Sequence, residues 1–124
     1  MKWSVDFTKE FLRMAKPLWK RYRSLMDDLD EFRKSLTDDP FQGVVLQPGI
    51  RKIRMAIKSK GGGKSKGARI ITLTFAVDEE KAKVVLLLIY DHNQADTVDQ
   101  KMVKIVAQRL GYDVDDLQDE GKTK

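Results

Sequence analysis

Cysteine is absent from this 124-residue chain, and histidine occurs once, as His92. Without thiols there are no disulfides, no thiolate nucleophile and no cysteine-bound metal, a pattern that fits a reducing compartment. A single imidazole cannot assemble a histidine-based zinc site, so neither a metal nor another cofactor is expected. Long apolar runs are also missing. The longest, residues 84–90, falls well short of the roughly 20 residues that a membrane helix requires. The opening residues Met1-Lys2-Trp3-Ser4-Val5-Asp6 contain no uninterrupted apolar stretch of the kind a secretory signal needs. A cytoplasmic location with no membrane partner is therefore expected.

Acidic residues are missing from the middle of the chain. None occurs between Asp39 and Asp78, while that stretch carries Arg51, Lys52, Arg54, Lys58, Lys60, Lys64, Lys66 and Arg69. The formal net charge is only +5, but it is concentrated here. Such a field attracts polyanions, nucleic acid above all, through phosphate contacts and counterion release.

At this length, 41% hydrophobic residues suffice for a single core. Trp3-Ser4-Val5-Asp6-Phe7 alternates apolar and polar residues and predicts a short strand. From Phe11 the apolar positions fall at Ala15, Leu18, Tyr22, Leu25, Leu29, Phe32 and Leu36, a stripe at helical spacing. Pro17 and the cap-like Ser24-Leu25-Met26-Asp27 divide it into two helices, 9–21 and 25–36, packed as a hairpin. Strands are then expected at 44–46, 50–57, 70–77 and 84–90. The last, apolar on both faces, reads as a covered central strand. Thr97-Val98-Asp99-Gln100 opens a further amphipathic helix that Gly111 closes. The expected fold is α+β: an N-terminal helical hairpin on a small antiparallel sheet, with a C-terminal helix. Residues 1–111 form the domain and residues 112–124 a polar, flexible tail.

Gly61-Gly62-Gly63-Lys64-Ser65 is not a Walker phosphate loop. Lys58 stands where its first glycine belongs, and a strand follows instead of a helix. It reads as a mobile basic hairpin loop. In the strand before it, Lys52 and Arg54 point to one side while Ile53, Met55 and Ile57 point to the other. Arg69 opens the next strand. If Leu73 and Phe75 face inward like Ile53, joining Arg69 to Lys52 and Arg54 requires a bulge near Gly67. Three such cations grip phosphate and stabilise the charge of in-line attack by a ribose 2′-hydroxyl. His92, with a pKa near neutrality in its free form, suits proton transfer. Tyr90 offers a ring for base stacking.

Three segments resemble the RelE/ParE toxin superfamily, close to its HigB-like branch. They are Gly49-Ile50-Arg51-Lys52-Ile53-Arg54, Gly63-Lys64-Ser65-Lys66-Gly67-Ala68-Arg69-Ile70 and Leu88-Ile89-Tyr90. The resemblance implies a microbial-RNase-like fold and metal-independent cleavage of mRNA, usually on the ribosome. It also implies neutralisation by a cognate antitoxin, expected to be of helix-turn-helix type. By matching position, Lys52, Arg54 and Arg69 would be the catalytic cations. His92 takes the proton-transfer role, with Arg51, Lys58, Lys60, Lys64, Lys66 and Tyr90 as RNA contacts. The chain departs from the branch after its last strand, where His92-Asn93-Gln94-Ala95 replaces a Lys-x-Glu-Gln type run. It has no tyrosine between Tyr90 and Tyr112 and no arginine between Arg69 and Arg109. A ParE-like gyrase inhibitor and an inactive antitoxin-binding homologue are the competing expectations.

Overall fold

A computed structural model describes residues 2–94 and 108 of the chain. The order is β1 (Lys2–Phe7), α1 (Lys9–Arg21), α2 (Leu25–Asp38), β2 (Val44–Gln47), β3 (Ile50–Met55), a single 3₁₀ turn (Lys64–Lys66), β4 (Ala68–Ala76) and β5 (Lys81–Asp91). The fold is α+β, two helices with a five-stranded mixed sheet ordered β1-β5-β4-β3-β2. The expected C-terminal helix, the boundary at 111 and the tail lie outside the described residues.

The helical stripe is observed. Phe11, Ala15, Leu18, Tyr22, Leu25, Phe32 and Leu36 are buried in one cluster, with Leu29 packed against it. Thr8 caps α1, its Oγ1 accepting from the Phe11 amide at 2.9 Å. The helix then runs straight through Pro17, and the break falls at residues 22–24. No capping box forms at α2. Ser24 is helical and makes no cap bond. Its hydroxyl instead donates to Asp28 Oδ2 at 2.7 Å and accepts from the Ser59 amide at 2.8 Å.

Two expectations about the sheet are corrected. The sheet is not wholly antiparallel, because β1 pairs with β5 in parallel from Lys2↔Lys81 to Phe7↔Leu86. Alternation reveals a strand's faces but not its direction, and the intervening elements supply the crossover that a parallel pair needs. The expected bulge near Gly67 is absent; the register shifts lie between Val45 and Gln47 of β2 and in β5, where Ile71 pairs with Leu88 but Thr72 pairs with Leu86, leaving Leu87 extra. Around it, β4 alternates regularly. Ala68 and Ile70 face the helices, and Thr72 and Thr74 follow them inward, both buried. Ile71, Leu73 and Phe75 face the opposite side, with Ile50, Val85 and Leu88. The sheet thus has two apolar faces, and the inward side of β4 carries its threonines.

Candidate nucleic-acid interface

This arrangement of faces brings the cations together. In β3, Ile50, Lys52 and Arg54 share the side turned away from the helices, while Arg51, Ile53 and Met55 face them. In β4, Arg69 lies on the same outer side as Ile71 and Leu73. Arg54 pairs directly with Arg69, and Arg69 with Tyr90, so one rung of the sheet reads Arg54–Arg69–Tyr90. Lys52 stands two residues along, opposite Ile71. No bulge near Gly67 is needed.

Lys52, Arg54, Lys64 and Arg69 line one open depression of about 530 Å³, together with Gln42. Among the described residues no carboxylate lines it. A second depression, about 200 Å³, shares Gln42, Arg54 and Lys64 and adds Asp28, Glu31 and Lys58. A larger depression of about 990 Å³ lies by the end of β1, but Asp6 and Glu10 offset Lys9 and Arg33 there. The smaller basic one is the better polyanion site.

Two like charges directly opposite on neighbouring strands destabilise the pair unless something lies between them. Arg69 gains part of its hold from the loop: its guanidinium donates to the carbonyls of Lys64 at 3.1 Å and Ser65 at 2.8 Å. Those partners are neutral, so the positive charge stays available to an anion. No described acid pairs with Lys52, Arg54 or Arg69.

The loop is tied down at its two ends. The buried Asp28 accepts from the Lys58 amide at 3.1 Å as well as from Ser24. Lys58 Nζ lies 2.9 Å from Glu31, which holds that ammonium above its ordinary pKa. At the far end Gly67 lies against Met55, where any Cβ would collide with the Met55 carbonyl.

Lys60 leads into a second cluster. Its Nζ is 2.6 Å from Asp91 Oδ1, and Tyr22 Oη donates to Asp91 Oδ2 at 2.6 Å. Burial pushes the Asp91 carboxyl up, but bonds from Lys60, Tyr22 and the Asn93 amide outweigh it and hold it at about 2. The same bond, with burial behind it, raises the Tyr22 phenol above its usual value. His92 joins through Nδ1, 3.2 Å from Lys60 Nζ.

The sequence-predicted residues therefore divide. Lys52, Arg54, Arg69 and Lys64 meet, and Lys66 is exposed on the 3₁₀ turn beside them. Lys58 belongs to the neighbouring depression. Lys60 is bonded to Asp91 at the end of β5, and His92 Nδ1 lies close to both. Two expected RNA contacts are buried. Arg51 is 3% exposed on the helix side, its guanidinium 4.8 Å from the Phe41 ring centre. Tyr90 is 4% exposed on the outer side of the sheet. Asp28, Asp91 and Tyr22 were missed as polar anchors. Asp28 occupies a stripe position, three after Leu25 and four before Phe32, which signals a buried carboxylate. Asp91 ends an apolar strand on the Ile89 side, the helix side.

No protein-family model matches the chain, and no curated protein matches it by sequence.

Proposed function

We propose that this protein binds RNA across the outer side of β3 and β4 and cleaves it without a metal, as the toxin of a type II toxin–antitoxin pair. The observation that carries the reading is the Arg54–Arg69 rung, with Lys52 and Lys64 around the same depression. Four cations facing one space with no described carboxylate suit successive phosphates of a single strand. They also suit the extra negative charge of a pentavalent phosphate as a 2′-hydroxyl attacks in line. The mRNA on the ribosome is the proposed substrate, and an antitoxin, of helix-turn-helix type, the proposed protein partner.

The chemistry also needs a proton acceptor for the 2′-hydroxyl. Among the described residues the depression offers none, which favours one second reading: binding of nucleic acid or antitoxin without hydrolysis. Cleavage of mRNA on translating ribosomes separates the two. The wild type is expected to cut, and Lys52→Ala/Arg54→Ala to lose at least about 100-fold in rate, the scale of transition-state charge stabilisation. Both residues lie outside the loop's hydrogen bonds, so loss of activity will not reflect a collapsed loop. Wild-type binding without cleavage would select the second reading, and equal cleavage by both proteins would remove the site.

A further inference from the structure

The contacts around His92 Nδ1 cannot all be hydrogen bonds at once. Lys60 Nζ lies 3.2 Å from it and Asp91 Oδ1 3.3 Å. An ammonium only donates and a carboxylate only accepts, so Nδ1 either receives a proton's hydrogen bond from Lys60 or gives one to Asp91. Asp91 is 1% exposed and already accepts from Lys60, Tyr22 and the Asn93 amide. Its Oδ1 holds Lys60 Nζ at 2.6 Å, which places the ammonium against the imidazole nitrogen.

We propose that Asp91 and Lys60 are positioning residues that keep His92 a neutral imidazole with its proton on Nε2. A neutral ring held this way is a fixed hydrogen-bond donor, not a proton carrier. Its lone pair at Nδ1 is occupied, and losing the Nε2 proton would leave an imidazolate. The role replaces the proton transfer expected of His92. Nε2 is the ring nitrogen turned away from the cluster, and among the described residues nothing accepts from it. The side chain is 27% exposed, so a ligand reaches it. The His92 amide donates to the Gly67 carbonyl at 3.1 Å, two residues ahead of Arg69, which sets the ring at the arginine end of the sheet. The ligand class is an anionic oxygen; identifying it as RNA phosphate rests on the function proposed above.

The tautomer is read without RNA, from ¹⁵N chemical shifts and long-range couplings of the histidine ring in the full-length protein at neutral pH. The expected pattern is a pyrrole-type Nε2 and a pyridine-type Nδ1. In Lys60→Met, Asp91 becomes the only partner of Nδ1 among the described residues, and the proton is expected to move to Nδ1. Asp91 itself is left intact, because replacing a buried carboxylate risks the fold. Affinity for a non-cleavable 2′-deoxy-substituted RNA supplies the second readout. His92→Gln, whose amide offers an N–H in place of Nε2, is expected to keep wild-type affinity. His92→Ala is expected to lose about tenfold to a hundredfold, the worth of one hydrogen bond to a charged group. A wild-type ring protonated at Nδ1, or a Lys60→Met spectrum like the wild type's, overturns the proposal. So does glutamine falling to alanine's level. Correct tautomers in a protein that binds no RNA would sink the RNA reading and leave the positioning intact.

Discussion

Asp91 is the residue on which the polar end of the sheet depends. Its carboxyl titrates at about 2 in the fold against an ordinary 3.8, so the folded state favours the ionised form. A depressed acid stabilises above its unfolded pKa and loses that contribution as pH falls through the folded value. At neutral pH the shift corresponds to about 2 kcal/mol. Tyr22→Phe removes one of the bonds that depress it. Urea unfolding of that variant is expected to show a loss of about 1–2 kcal/mol at pH 7, with the gap to wild type narrowing from pH 4 to 2. A pH-independent gap would mean that Tyr22 contributes by packing alone. The same residue carried no motif in the sequence. Tyr22 was legible as a stripe position, but its hydroxyl meets a partner 69 residues away, a pairing that no local pattern encodes.

At the scale of elements, both helices and all five strands were legible within a few residues of their ends. Apolar spacing determined them locally. What alternation left open was the side of the sheet each strand's apolar row would face. The rows of β3 and β4 point to opposite sides, since Ile53 and Met55 meet the helices whereas Ile71 and Leu73 do not. That single misassignment is why a bulge near Gly67 was expected. The bulge at Leu87 has a different effect. By shifting the second half of β5 by one residue, it turns Asp91 towards Tyr22 and sets Tyr90 beside Arg69. The hairpin loop between β3 and β4 is closed where Gly67 meets Met55. Gly67→Ala must push these strands apart, and a loss of about 1–3 kcal/mol in urea unfolding is expected. Unchanged stability would show that this close approach is not required. Among the described residues no helix is long and apolar enough to cross a membrane.

For the whole molecule, charge is sorted by side and not by position in the chain. The eight basic residues from Arg51 to Arg69 look like one patch in sequence, but apart from Lys66, exposed on the 3₁₀ turn, they take four different places. Arg51 goes under Phe41, Lys58 to Glu31 and Lys60 to Asp91, leaving Lys52, Arg54, Lys64 and Arg69 at the depression. Counting cations therefore overstated the site, whereas strand register located it. Register could not be read from the sequence because it depends on which strands become neighbours. Phosphate binding at this face is tested most directly by the salt dependence of affinity for a single-stranded RNA. Each phosphate contact contributes a slope of about −0.7 in log K against log salt. Lys52→Gln/Arg54→Gln is expected to flatten the wild-type slope by about 1.4, two contacts' worth. Lys20→Gln, on the exposed side of α1, is expected to leave it unchanged. Equal slopes in the double variant and wild type would contradict phosphate binding at β3 and β4.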